Sequence, residues 1–150
     1  MTDRVRCSFF FGLPGLPCEY WEIPRNAKKE KSMKPEMDMK SMQKCMDDCC
    51  MCGSMCSETM MQCMNKGSMT TQMMTMFQDC IQMCQMACAC MMRHSTMMGK
   101  VCGMCAEMCM SCASMCEKMG GEEMKRCAEM CKRCAESCKA MSKSSVAASA

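Results

Sequence analysis

From Met33 to its C-terminus the chain contains no leucine, one isoleucine (Ile81), two valines (Val101 and Val146) and one phenylalanine (Phe77). That scarcity excludes an ordinary aliphatic interior, because these side chains supply most buried surface in globular domains. Aromatic residues make up 4% of the chain. The formal net charge of +3 is too small and too dispersed to argue for a nucleic-acid partner. No run of about 18 apolar residues occurs, which excludes a membrane-spanning helix. Proline is nearly confined to residues 1–32, which hold three of the four, both leucines, and the only tryptophan and tyrosine.

What remains to build an interior is sulfur and alanine. The 150 residues include 21 cysteines and 29 methionines, a cysteine content that marks a disulfide or metal scaffold. The length suits one domain. Residues 1–32 are too broken by proline and glycine for a helix and lack the pattern of a signal peptide. Lys29–Glu30 can be encoded AAGGAG, a ribosome-binding sequence, two codons before Met33. The expectation is a disordered leader at 1–32 outside the native protein, a bundle over 33–142 and a frayed tail over 143–150. The other reading makes 1–32 an atypical export signal.

Between Pro35 and Met141 the sulfur residues recur at steps of three and four, the spacing of one helix face. The first segment, about 36–64, carries Met42, Cys45, Cys49, Cys52, Cys56, Met60 and Cys63, and Gly67 suits a left-handed stop. The second, about 69–92, carries Met73, Phe77, Cys80, Cys84, Cys88 and Met91, with Ser68 or Thr70 as N-cap. The third, about 96–118, carries Met98, Cys102, Cys105, Cys109, Cys112, Cys116 and Met119 before Gly120–Gly121. The fourth, about 122–141, carries Met124, Cys127, Cys131, Cys134, Cys138 and Met141. Its outer face offers Glu122–Arg126 and Glu129–Arg133 as i,i+4 pairs. Four such helices with short links predict an all-α, antiparallel up-down-up-down four-helix bundle with a Cys/Met-lined core.

Seventeen cysteines on four inward columns are a poor packing solution. Cysteine is too small to fill the space between helices about 8–10 Å apart, and each void costs of order 1 kcal/mol. A disulfide framework fares little better, since cysteines three or four apart on a helix have near-parallel Cβ vectors. Metal binding accounts for both residue types: thiolate and thioether are soft donors that together select Cu(I). Zinc prefers closed tetrahedral Cys/His sets. Iron–sulfur runs usually break helical regularity and often end in Cys-Pro, which is absent here. Charge then sets the loading. Many buried thiolates are prohibitive unless cancelled, and one Cu(I) per thiolate cancels them ion for ion, giving roughly 17–20 ions with proton release.

Methionine often directly precedes a column cysteine, as in Met51–Cys52, Met83–Cys84 and Met104–Cys105. It then lies about 100° round the helix, as filler between helices or as a secondary ligand shell. Gly53 and Gly103 adjoin column cysteines, and each costs about 1 kcal/mol mid-helix. Close approach of a helix or a metal is the expected reason.

With these columns in view, residues 36–141 resemble the bacterial copper storage proteins. The match lies in repeated CxxxC pairs: Cys45/Cys49, Cys52/Cys56, Cys80/Cys84, Cys84/Cys88, Cys105/Cys109, Cys112/Cys116, Cys127/Cys131 and Cys134/Cys138. The methionine excess departs from the family pattern. The resemblance implies a non-enzymatic store of many Cu(I) ions with a His/Met mouth at one end of the core. His94, in the link between segments two and three, is the candidate there. Met42, Met98 and Met141 accompany it, with Met37, Met39, Met91, Met92 and Met97 nearby. Exported members resemble twin-arginine substrates, and this chain has no Arg-Arg, which with a start at Met33 argues for the reducing cytoplasm. A homo-oligomer is compatible with the sequence, and no copper donor or acceptor protein is identified by it. The alternatives are an iron–sulfur or thiol redox protein, or a chaperone delivering copper to a specific enzyme.

Overall fold

The computed structural model describes residues 39–147, with side chains to Ser144. The leader at 1–32, with Cys7 and Cys18, lies outside the described residues, as do Met37 and residues 148–150. Four helices run in order: α1 Met39–Asn65, α2 Thr71–Met92, α3 Met98–Met119 and α4 Glu122–Ala147.

Local signals fix the helix ends. After α1, Gly67 takes φ +66°. Its N–H reaches the Met64 carbonyl at 3.0 Å while the N–H of Ser68 reaches Cys63 at 3.0 Å. That is a Schellman stop, which satisfies carbonyls the helix leaves open. Thr70, rather than Ser68, caps α2, its hydroxyl accepting from the Met73 N–H at 3.2 Å. The end of α2 repeats the Schellman pattern, His94 N–H to Met91 and Ser95 N–H to Cys90 (3.1 and 2.9 Å), with a histidine where glycine usually stands. His94 accordingly has φ 49°, the one positive value outside glycine among the described residues. Helix α4 runs on to Ala147, past residue 143, the expected start of the tail. Serine and alanine end the segment without a glycine or proline to stop it, and Ser144 Oγ donates back to Ala140 O at 3.0 Å.

Neighbours follow the cycle α1–α2–α3–α4, and the two diagonal pairs make no backbone contact. The register is antiparallel throughout. Cys49 meets Cys134, Cys52 meets Cys131 and Cys56 meets Cys127 (Sγ–Sγ 3.7, 3.7 and 3.9 Å), so α4 descends as α1 rises. Cys80 with Cys109 and Cys84 with Cys105 (3.8 and 3.9 Å) set α2 against α3 in the same sense. The α3–α4 pair packs most closely. Buried alanines recur seven apart on both helices, Ala106 and Ala113 facing a set with Ala128 and Ala135, and small side chains let backbones approach. Gly103 belongs to this seam: a Cβ there would stand 3.1 Å from Ser142 Oγ. Gly53 does not, because a Cβ there would meet nothing within 4 Å.

One polar cluster interrupts the sulfur. Asp48 is 5% exposed between α1 and α4. Lys44 Nζ donates to its Oδ2 (2.9 Å), Arg133 Nε to Oδ1 (3.0 Å) and Ser137 Oγ to Oδ2 (2.5 Å). Arg133 therefore serves Asp48 rather than Glu129, and the expected i,i+4 pairs of α4 are absent among the described residues. A buried carboxylate holds a guanidinium better than an exposed one, whose gain is offset by solvent.

The cluster ties α1 to α4 in one register. Asp48→Ala should lower the stability of the metal-free protein by about 1–2 kcal/mol, the loss of charge-assisted hydrogen bonds to a buried carboxylate, moderated because Lys44 and Arg133 reach solvent, read from chemical denaturation. An unchanged midpoint would show that the cluster only decorates the seam.

Candidate metal centre

The nineteen described cysteines are all free thiols. Seventeen are buried, and most have their sulfurs on the bundle axis. Because Cβ atoms on +3/+4 positions of four helices all point inward, the thiols interleave in successive layers. Sulfurs of diagonal helices meet across the axis: Cys52 with Cys109 (3.9 Å), Cys56 with Cys112 (4.0 Å) and Cys84 with Cys134 (4.0 Å). Three sets of four have every sulfur within 4.8 Å of the others: Cys49/Cys105/Cys134/Cys138, Cys52/Cys84/Cys109/Cys134 and Cys52/Cys56/Cys80/Cys131. The second draws one thiol from each helix, and adjacent sets share members. The contacts form a ladder rather than discrete sites.

Contacts of 3.4–4.0 Å are far longer than a disulfide bond of about 2.05 Å. They suit sulfurs bridged by an ion, since two metal–thiolate bonds of about 2.3 Å span such a gap. The candidate sets contain sulfur alone, so hard cations find none of the oxygen ligands they require.

Electrostatics follows from crowding. Hydrogen bonds from neighbouring thiols, led by Cys105, together with burial push Cys84 well above the ordinary thiol value. Cys49 and Cys131 are raised in the same way, led by Cys105 and by Cys112. Their partners Cys52, Cys80 and Cys105 are drawn down, each led by the contact with Cys109. Desolvation by burial acts in the same direction on all of them, against the charged form.

Placement of the expected ligands is uneven. Cys45, Cys49, Cys52, Cys56, Cys80, Cys84, Cys102, Cys105, Cys109, Cys112, Cys116, Cys127, Cys131, Cys134 and Cys138 come together on the axis, Cys102 through Cys138 and Cys45, and Cys116 through Cys112 and Cys127. Cys63 is buried, but a full turn beyond the layer of Thr59, Phe77 and Met124 that follows Cys56, Cys80 and Cys127. Cys88 leaves the axis. It is half-buried on the bundle flank beside Cys50, at 3.8 Å. Two successive +4 steps from Cys80 overshoot the helical turn by about 40° each, and fully buried Ala87 takes the inward place. Cys90, outside the columns, is buried instead, with Arg93 Nη2 at 3.7 Å from its sulfur.

Methionine closes both the seams and one end. Met55, Met83, Met108 and Met115 lie half-buried against the core, while Met51 and Met104 are more than half exposed. Four of the residues before column cysteines thus pack against the core, and Met51 and Met104 do not. Met119, expected on a column, faces solvent. At the end where α1 starts, Met42, Met91, Met98 and Met141 are buried. The α1–α4 register puts Met42 opposite Met141, and the α2–α3 register puts Met91 opposite Met98. His94 is exposed in the adjoining link, with Met39, Met92 and Met97 exposed at the same end. The opposite end is closed by Phe77, fully buried, with Met73 and Met124.

A helical bundle whose axis is a ladder of thiols is a soft-metal binder with many adjoining positions. The family model for copper storage proteins matches residues 38–143, and the chain belongs to that family. A comparison with curated protein sequences finds no match. Among solved structures, a protein of Nitrosospira multiformis is 33% identical, covering 69% of this chain and 96% of its own, with a TM-score of 0.65. Apo copper storage protein 3 from Bacillus subtilis is 26% identical, covering 67% of this chain and 97% of its own (TM-score 0.61). The Cu(I)-bound copper storage protein BsCsp3 is 25% identical, covering 68% and 98% (TM-score 0.61). The family is one of storage, not catalysis, and its match to this chain removes the ground for an iron–sulfur reading.

The raised thiols stay protonated at neutral pH and must lose their protons to bind a soft metal. Titrating the reduced protein with Cu(I) in weak buffer should therefore release close to one proton for each raised thiol filled, and loading of those thiols should weaken as pH falls. Loading without proton release would mean that the thiols are not the ligands.

Proposed function

We propose that this chain is a cytoplasmic Cu(I) reservoir filled to about one ion per column thiol, with copper passing through the methionine-lined end beside His94. The carrying observation is the unbroken ladder of sulfurs from Cys45 and Cys138 to Cys116 and Cys127. A single-site copper protein needs two or three such sulfurs, and a ladder this long serves quantity. Near 1:1 loading follows from charge, because Cu(I) then cancels each thiolate in a low-dielectric interior. The cytoplasmic assignment rests on the free thiols, which a reducing compartment preserves, and on the leader reading. No described helix is long and apolar enough to cross a membrane.

The mouth rests on donor strength. Imidazole and thioether hold Cu(I) more weakly than thiolate, so His94 and exposed methionines would capture ions. Met42, Met98 and Met141 would pass them to Cys45, Cys102 and Cys138. His94 also ends α2 in a left-handed conformation, so its replacement should be asparagine, which tolerates that backbone.

Under a competing chelator, Cu(I) titration of the reduced protein should end at roughly 17–20 ions, the number set by charge cancellation. An endpoint of one to four would replace the reservoir with a discrete site. The triple variant His94→Asn, Met42→Leu, Met98→Leu should load and release copper more slowly at nearly unchanged capacity. Kinetics matching the parent protein would remove the mouth.

A further inference from the structure

Cys50 and Cys88 stand apart from every other described thiol. Both are half-buried where the rest are buried. Their sulfurs lie 3.8 Å apart across the α1–α2 seam, away from the axis. Cys88 donates to the Met46 carbonyl at 3.5 Å, and its thiol is held below the ordinary value chiefly by Cys49, a member of the axial ladder that directly precedes Cys50 in the chain. The flank pair is thus joined to the core by one thiol-to-thiol step.

Gly53 lies three residues on from Cys50, on the same side of α1. Glycine in mid-helix costs about 1 kcal/mol relative to alanine, so its presence calls for a reason. Gly103 has one in the contact its Cβ would make with Ser142. Gly53 has none of that kind: a Cβ would meet nothing within 4 Å, and its φ is not in the left-handed region. What the missing side chain does is leave one turn of α1 bare beside an accessible thiol pair.

We propose that Cys50 and Cys88 form a lateral Cu(I) exchange site, through which the core trades copper with thiolate-bearing acceptors at mid-height. With metal–thiolate bonds of about 2.3 Å, an ion held by sulfurs 3.8 Å apart sits off the line between them. A third position is then open to an incoming thiolate. The incoming sulfur binds before a protein sulfur leaves. The copper remains Cu(I), and each thiolate released takes up the proton that the incoming thiol gave up. Cys49 refills the pair from the core. Gly53 keeps the approach clear.

The proposal rests on the reservoir reading, and its test separates the two. In the full-length apo protein, a bulky maleimide should label Cys50 and Cys88 about tenfold faster than Cys84 or Cys109, as accessible thiols react first. Gly53→Leu should slow that labelling at unchanged helicity by circular dichroism. In the copper-loaded protein, Cys50→Ser with Cys88→Ser should lower capacity by about one ion and remove the fastest phase of copper transfer. Gly53→Leu should slow that phase by about fivefold or more at full capacity. Transfer is followed to glutathione and, separately, to a small CxxC protein; loss in either arm supports the site and names the size of its acceptor. Equal labelling of Cys88 and Cys84, or transfer unchanged in both arms, would overturn the lateral site. A low total capacity in the parent protein would instead overturn the reservoir and leave the labelling result standing.

Discussion

The structure depends on thiols meeting at the axis of a bundle whose helices are too far apart for cysteine to fill the space between them. A leucine core would bring side chains into contact and exclude a guest. Here thiol sulfurs of diagonal helices meet across the axis at about 4 Å, a spacing that a bound ion can bridge. Burial also disfavours the charged form of these thiols. An empty core is therefore mostly neutral, and a filled one is neutral again. The interior avoids the cost of buried charge in both states.

The bundle is unevenly braced. The α3–α4 pair is held by alanines at a seven-residue repeat and by Gly103 against Ser142, with no sulfur needed at the seam. The other seams rely on methionine, which is flexible and fills irregular gaps. Asp48 adds a buried directional restraint, joining α1 to α4 through Arg133 and Ser137. Half of the molecule is thus a rigid wall and half an adaptable one, a useful division for a core whose contents change in number.

Most of this was legible in the sequence, because the signals agree. Repeated +3/+4 spacing, a Gly67 stop, a Thr70 cap and short links leave one topology for four helices. The column positions failed where the spacing drifted and, at Met119, where α3 ends. Cys88 follows two +4 steps, and the helix turns it out of the core, while Ala87 goes in. No column rule finds Cys90, whose burial comes from its place at the end of α2. Asp48 was missed because a charged residue beside column positions reads as surface. Its burial needs Arg133 and Ser137 from a helix more than eighty residues away. Likewise the reason for Gly103 lies on α4 and that for Gly53 on the neighbouring flank, which spacing along one helix does not reveal.

Phe77 has the largest side chain in the described interior, and it stands at the foot of the ladder, one turn along α2 from Cys80 and level with Cys112. An aromatic ring offers a soft cation no exchangeable lone pair, and with Met73 and Met124 buried at the same end the foot of the ladder is a cul-de-sac. Ions at its foot can leave only after those above them have moved. The stock then has an age structure: a labile upper fraction that answers quickly to demand, and a deep fraction that turns over on a much longer scale.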